Sequence, residues 1–122
     1  MKVYYSHPKT YKNSPEEAED ISLLKSLGHE VENPYDPKFS DIWQTEGLSF
    51  GKTLVEMCEG FAFRPLSNGK IGAGVAKELK WAMEANKVIL EMPSASPFEM
   101  DSLDGRVLSI DETVEFFNTV GK

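Results

Sequence analysis

A glycine-rich turn followed by a single carboxylate is the part of this sequence best suited to chemistry. The stretch GKIGAGVAKE, residues 69–78, carries Gly72 and Gly74 just before a helix-forming run that contains Glu78. Glycine lets a ligand approach the main chain closely, and the N–H groups at a helix start attract a phosphate or a carboxylate. The turn therefore indicates a ligand site, although strand-to-helix turns also use glycine for shape alone.

The position of Glu78 on its helix favours a role in a cleft. Val75, Leu79 and Ala82 form the apolar stripe of this helix. At about 100° per residue, Glu78 lies at the edge of that inner face. We predict that the helix dipole keeps the carboxylate ionised, ready to attack the anomeric carbon of a sugar. The alternative is that Glu78 only complements the dipole.

Two better-known phosphate-binding motifs do not fit. In the dinucleotide pattern G-x-G-x-x-G, Lys77 stands where the third glycine belongs. Residues 51–53 have the Gly-Lys-Thr ending of a P-loop, but Glu46 occupies the place of its first glycine. The glycine turn therefore belongs to neither of these two motifs.

Composition excludes several classes of protein. The chain has 122 residues, which is typical of one domain (1–122), and its net charge of −7 argues against binding to a nucleic acid polymer. One cysteine, Cys58, and two histidines leave no basis for a metal site. Short apolar runs argue against a membrane span. We expect a cytoplasmic protein with no metal and no organic cofactor.

Strand-like and helix-like segments alternate along the chain. Ser14 with Glu17, and Ser109 with Glu112, have the spacing of capping boxes. The expected strands are 2–6, 29–33, 61–65, 87–92 and 105–110, and the expected helices are 13–28, 49–60, 75–86 and 109–121. This alternation predicts a single-domain α/β fold, a three-layer sandwich around a five-stranded parallel sheet with flavodoxin-like or Rossmann-like order.

In such a sheet, ligands bind beyond the carboxyl ends of the strands. Ser6, His7 and Pro8 follow the first strand, and Arg64 ends the third. We expect these residues to converge with the glycine turn on one cleft. His7 has a turn role as its alternative, and Arg64 is suited either to a phosphate or to a carboxylate of the protein.

The region 34–48 is the least regular part of the sequence. It carries Tyr35, Phe39 and Trp43 among polar residues, as a loop or short helix. These aromatic rings are suited to stacking on a nucleobase. The alternative is that they seal the loop onto the core or onto another subunit.

Several of these segments together resemble one protein family. The run from Gly74 to Glu78, the Trp81-Ala82 pair and the segment ANKVILEM resemble the nucleoside 2-deoxyribosyltransferase superfamily, which includes 2′-deoxynucleoside 5′-phosphate N-hydrolases. The segment 58–62 is similar to the strand that precedes this helix in the family. The first strand, with Tyr5, is similar to the family's first ligand-binding loop.

The resemblance implies cleavage or exchange of the N-glycosidic bond of a nucleoside or a nucleoside monophosphate. Glu78 would be the nucleophile, and Tyr5 would orient its carboxylate. Ser6, His7 and the Gly72–Gly74 turn would hold the sugar or the phosphate. Family members are often homodimers or larger, so the resemblance also implies a homo-oligomer.

One departure from the family keeps other functions open. The transferases usually carry aspartates just ahead of the glycine turn, whereas residues 60–77 contain neither Asp nor Glu here. His7, Asp36 and Asp41 are the candidates for a substitute general acid. The alternatives are a non-catalytic nucleotide-binding or sensing module on the same fold, and a flavodoxin-like interaction domain whose glycine turn is structural.

Overall fold

Five strands form one sheet at the centre of the fold. In the computed structural model, which describes residues 1–99 and 103–120, the strands lie side by side in the order β2-β1-β3-β4-β5. This is the strand order of flavodoxin-like sheets. The strands are β1 (Lys2–Ser6), β2 (Glu30–Glu32), β3 (Gly60–Phe63), β4 (Val88–Glu91) and β5 (Ser96–Pro97).

The sheet is mixed, so the prediction of a wholly parallel sheet is wrong at one edge. β1 pairs in parallel with β2 and β3, and β3 pairs in parallel with β4. β5 runs antiparallel to β4, with Pro97 opposite Leu90. Proline is tolerated on an edge strand because its missing N–H faces away from the sheet.

The predicted strand 105–110 is also wrong. Val107 forms only an isolated parallel bridge to Ile71. The main chain of Ile71 donates to Arg106 at 2.7 Å and accepts from Leu108 at 2.9 Å. The physical reason is that the chain turns back directly after β4, so that β5 takes the free edge of the sheet first.

The helices follow the predicted alternation with the strands. The long helices are α1 (Pro15–Ser26), α3 (Leu48–Met57), α4 (Ala73–Glu84) and α5 (Ile110–Thr119). Within the irregular region, a 3-10 turn (Pro37–Phe39) leads into the short helix α2 (Ser40–Glu46). In the part of the chain that the structure describes, no helix has the length and apolar character needed to cross a membrane.

Of the two predicted capping boxes, one is complete and one is half formed. Around α5, the side chains of Ser109 and Glu112 each bond the other's main-chain N–H. Ser14 accepts the N–H of Glu17 at 3.1 Å, but the carboxylate of Glu17 accepts the N–H of Asn13 instead. The side chain of Glu17 is thereby left available for a tertiary contact.

Apolar side chains pack against both faces of the sheet. One cluster joins Tyr4 of β1 to α3 and α4, through residues such as Val55 and Leu79. The other cluster joins Val3 and Tyr5 of β1 to α1, through residues such as Leu24. Successive residues of a strand point to opposite faces, so neighbouring side chains of β1 enter different environments.

Candidate active site

The carboxylate of Glu78 is held by two hydroxyl groups of β1. Tyr4 donates a short hydrogen bond to Oε2 of Glu78, and Ser6 donates to Oε1 at 2.7 Å. Tyr4 and Ser6 are two residues apart on one strand, so their side chains leave the same face of the sheet. Both oxygens of the carboxylate are therefore oriented by groups from a central strand.

Burial and hydrogen bonding act on the pKa of Glu78 in opposite directions. α4 begins at Ala73, so Glu78 is its sixth residue and lies beyond the first turn, where the dipole effect fades. Burial raises the pKa of Glu78 above its ordinary value, although the hydrogen bonds from Tyr4 and Ser6 lower it. The helix begins at Ala73 rather than near Val75, so Glu78 lies farther from the positive end of the dipole than the sequence predicted.

Glu78 lines a cavity beyond the carboxyl end of β1. The cavity has a volume of about 290 Å³, close to the lower limit of typical small-molecule sites. Five residues predicted for the site line it together: His7, Pro8, Gly72, Gly74 and Glu78. Ser6 joins them through its hydrogen bond to Glu78. The predicted convergence of the first strand end and the glycine turn is therefore found in the structure.

The glycine turn caps α4 and forms one wall of the cavity. Gly72 is the N-cap residue, and the next N–H, that of Ala73, donates to the hydroxyl of Thr113 on α5 at 3.0 Å. A β-carbon on Gly72 would come within 3.3 Å of the Thr113 side chain. A β-carbon on Gly74 would meet nothing within 4 Å. The two glycines thus differ: one is packed against α5, and the other faces open space.

Tyr5 and Arg64 lie away from this cavity, contrary to the prediction. The hydroxyl of Tyr5 donates to Asp20 of α1 at 2.5 Å, while Tyr4 is the tyrosine that contacts Glu78. Arg64 forms an ion pair with the same Asp20, at 2.8 and 2.9 Å from its two oxygens. The reason is strand alternation, which sends Tyr5 to the face that α1 covers. Arg64 was expected to bind either a phosphate or a carboxylate of the protein, and in the structure it binds a carboxylate.

His7 lines the cavity, but its ring belongs to the α1 side of the sheet. Nε2 lies 2.7 Å from a carboxylate oxygen of Glu17, and Nδ1 lies 3.1 Å from the carbonyl oxygen of Tyr5. The ring stacks on Tyr5, with centroids 4.0 Å apart. Burial lowers the pKa of His7, although the hydrogen bond to Glu17 raises it. Both ring nitrogens therefore lie within hydrogen-bond distance of protein oxygens.

The aromatic residues of the irregular region divide between the two roles considered for them. Tyr35 lines the cavity and donates its hydroxyl to the carbonyl of His7 at 3.2 Å. Trp43 donates to the carbonyl of Pro34 at 2.7 Å, and both Trp43 and Phe39 pack in the core cluster next to α3. The ring of Trp43 packs the loop onto the core. Of the three aromatic residues of this region, Tyr35 is the one that can contact a ligand in the cavity.

Several residues of the site were missed in the sequence. Tyr4 was detectable, because it lies two residues before Ser6 on a strand and must share its face. Trp81 was detectable too, because it lies one helical turn after Glu78. Phe117 and Lys9 also line the cavity, but they come from elements whose packing has no local signal.

The described residues include no group of three or more His, Cys, Asp or Glu side chains arranged to hold a metal ion. The chemistry available at the cavity is that of Glu78, its two hydroxyl donors and the surrounding wall.

The fold is similar to those of three solved enzymes. The 2-deoxyribosyltransferase of Bacillus psychrosaccharolyticus matches 99% of this chain over 95% of its own, with a TM-score of 0.57 and 16% identity. The 2-deoxyribosyltransferase of Leishmania mexicana matches 96% of each chain, with a TM-score of 0.55 and 17% identity. The chain has a nucleoside 2-deoxyribosyltransferase-like fold. The CMP N-glycosidase of Clostridium botulinum matches 75% of this chain over 70% of its own, with a TM-score of 0.53 and 20% identity.

At these identities the similarity shows only that the chain has a 2-deoxyribosyltransferase-like fold. No protein-family model matches the sequence, and no curated protein matches it either.

Proposed function

We propose that this protein cleaves or transfers the N-glycosidic bond of a nucleoside or nucleoside monophosphate, with Glu78 as the nucleophile. One observation carries the proposal: both carboxylate oxygens of Glu78 are held by β1, and the same side chain lines the cavity. The names of the three similar structures, a CMP N-glycosidase and two 2-deoxyribosyltransferases, support this class of chemistry.

The reaction would proceed in two displacements. A carboxylate oxygen of Glu78 attacks C1′ of the sugar, and the electron pair of the C1′–N bond leaves with the base. Water or a second base then attacks C1′ and frees the carboxylate, which gives retention of configuration overall. Tyr4 and Ser6 stabilise the ionised carboxylate before attack and regain their full hydrogen bonds when it is released.

The walls of the cavity are suited to the parts of such a substrate. The glycine turn and the His7-Pro8 segment would contact the sugar or its phosphate. Glycine has no side chain, so a ligand can approach the main chain of the turn closely. Tyr35 and Trp81 would flank the base, because aromatic rings offer flat apolar surfaces to nucleobases.

The test is base release from a panel of ribo- and deoxyribonucleosides and their 5′-monophosphates, followed by chromatography. Glu78→Gln keeps the size of the side chain and removes the nucleophile. Glu84→Gln is the matched control, because Glu84 is an exposed glutamate at the end of the same helix. We expect release by the parent and by Glu84→Gln, and none by Glu78→Gln.

Two results would contradict the proposal. Equal release by Glu78→Gln would exclude the nucleophile role. Thermal stabilisation by a nucleotide without release of any base would instead favour the non-catalytic binding module.

A further inference from the structure

The hydroxyl donors that line the cavity point their protons at the protein. Thr113 donates to the carbonyl of Ser109 at 2.7 Å, and Tyr35 donates to the carbonyl of His7 at 3.2 Å. Burial and the nearby carboxylate of Glu78 raise the pKa of Tyr35 to about 12. Neither hydroxyl is therefore suited to giving a proton to a departing base.

Of the three acids considered from the sequence, His7 and Asp36 are likewise engaged, and Asp41 is exposed on α2 and does not line the cavity. His7 directs its two ring nitrogens to Glu17 and to the carbonyl of Tyr5. Asp36 accepts the N–H of Lys38 at 3.0 Å as the cap of the 3-10 turn. Within residues 1–99 and 103–120, the carboxyl group that lines this cavity is Glu78, which the proposed function uses as the nucleophile.

Three aromatic rings form part of the wall, beside the two exposed lysines Lys9 and Lys77. Tyr35, Trp81 and Phe117 line the cavity and are each half-buried. The ammonium group of Lys77 lies 5.9 Å from the ring centroid of Trp81, so this indole already faces a cation. The faces of aromatic rings attract positive charge because of their quadrupole. Lys77 itself is exposed, and a ligand cation can take its place over the ring.

From these contacts, and resting on the proposed function, we propose that the substrate is a nucleoside or nucleotide whose base carries a fixed positive charge. An N7-alkylated purine and an N-linked pyridinium ring are examples. Such a base needs no proton in order to leave, and the aromatic wall is suited to binding it.

The step balances without a general acid. Glu78 forms a bond from its carboxylate oxygen to C1′, and the C1′–N bond breaks. Its electron pair passes to the base nitrogen and cancels the positive charge, so the base departs as a neutral molecule. Water then attacks C1′, the carboxylate leaves, and the proton of that water passes to solvent.

A matched pair of substrates tests this proposal. Guanosine and 7-methylguanosine, each with and without a 5′-phosphate, differ by one methyl group that makes the base cationic. Base release is measured in mildly acidic buffer, where the methylated ring keeps its charge, with the parent protein and with Glu78→Gln.

We expect release of 7-methylguanine that depends on Glu78. The value of kcat/KM for 7-methylguanosine should exceed that for guanosine by at least about 10²-fold, the lower value of general-acid assistance. Release of the two bases within about tenfold of each other, still dependent on Glu78, would overturn the substrate proposal and leave the proposed function standing. Equal release by Glu78→Gln, or no release of either base, would overturn both.

A second substrate separates this mechanism from the intrinsic lability of methylated purines. Nicotinamide riboside carries a pyridinium charge that does not titrate. After subtraction of a blank without protein, its kcat/KM should rise with pH as Glu78 ionises and then stay level. A fall at alkaline pH would reveal an acid that must stay protonated, such as Lys9 or Lys77, the exposed lysines that line the cavity. That result would contradict the proposal.

Discussion

Each face of β1 has a tyrosine that donates a hydrogen bond to a carboxylate, but the two carboxylates have different partners. On one face Tyr4 donates to Glu78, and on the other Tyr5 donates to Asp20. Asp20 also accepts two hydrogen bonds from Arg64 and is 1% exposed. Within the described residues Glu78 is held by hydroxyl groups and forms no ion pair.

This difference separates a carboxylate with a structural role from the one that we propose as the nucleophile. A buried charge with a cationic partner is stable where it is and has little to gain from a ligand. A carboxylate held only by neutral donors, at the wall of a cavity, keeps its basicity and can bond to a substrate. The chain thus uses Asp20 to join α1 to the sheet, whereas it leaves Glu78 available.

The largest expected effect is on catalysis. Glu78→Gln should lower the rate of base release by at least about 10³-fold, because removal of a covalent nucleophile removes the main route of the reaction. Asp20→Asn, the matched change on the opposite face, should retain release within about tenfold, since Asp20 contacts Tyr5 and Arg64 rather than the cavity. Single-turnover assays at saturating substrate check both values. A loss of similar size in Asp20→Asn would break the comparison.

The second effect is on stability, and it has opposite signs on the two faces. Asp20→Ala leaves Arg64 and Tyr5 without their partner and should cost about 3 kcal/mol of unfolding free energy. Asp20→Asn should cost less, because it still accepts a hydrogen bond from Tyr5. Urea unfolding at neutral pH measures both changes.

Glu78→Gln should instead raise the unfolding free energy at neutral pH. The folded-state pKa of Glu78 is raised by burial, so the folded protein binds this proton more tightly than the unfolded chain. The contribution of Glu78 to stability is full below the ordinary pKa of about 4.3 and is lost as the pH rises through the folded value. The advantage of Glu78→Gln should therefore vanish in acid, and an advantage that persists there would contradict the burial argument.

The third effect distinguishes the two tyrosines by pH. Tyr4→Phe removes a donor that lowers the pKa of Glu78, so the rising limb of base release against pH should move to higher pH. Tyr35 is the other titratable group that interacts with Glu78, and it is unchanged in this variant. Tyr5→Phe should leave the limb in place and cost about 1.5–3 kcal/mol of stability, the value of a hydrogen bond to a charged group. Shifts of equal size in both variants would contradict the separation of the faces.

The smallest effect concerns the cavity face alone. Gly74→Ala should raise the unfolding free energy by about 0.5–1 kcal/mol, because alanine favours a helix over glycine and the added methyl group meets open space. It should also weaken substrate binding, since that space belongs to the cavity. Gly72→Ala is the control, because its methyl group would press on Thr113 and lower stability. Unchanged KM in Gly74→Ala would show that ligands do not approach this part of the main chain.

The elements of the fold were predictable because their signals are local. Ser109 and Glu112 cap α5 as their spacing requires, and the apolar stripe from Val75 to Ala82 lies inside as expected. β5 had no such signal, since two residues of type Ser-Pro resemble a loop. Its pairing with β4 depends on a turn that brings the chain back, and it excludes the strand predicted at 105–110 from that edge.

The site was predictable where one element supplies it. The glycine turn and Glu78 lie on a single strand-to-helix connection, and both line the cavity. Glu17, by contrast, had the spacing of a helix cap, yet its carboxylate bonds His7 of another element. That choice depends on the distance between α1 and the end of β1, which no local pattern contains.

The sequence by itself determined the alternating α/β order, the caps of its helices and the carboxylate that follows the glycine turn, because these depend on residues near one another in the chain. Only the tertiary structure decided which tyrosine meets Glu78, where Arg64 and His7 find their partners, and what walls the cavity has. Those outcomes depend on the face that each residue of β1 presents and on the helix packed against that face, so they involve residues tens of positions apart.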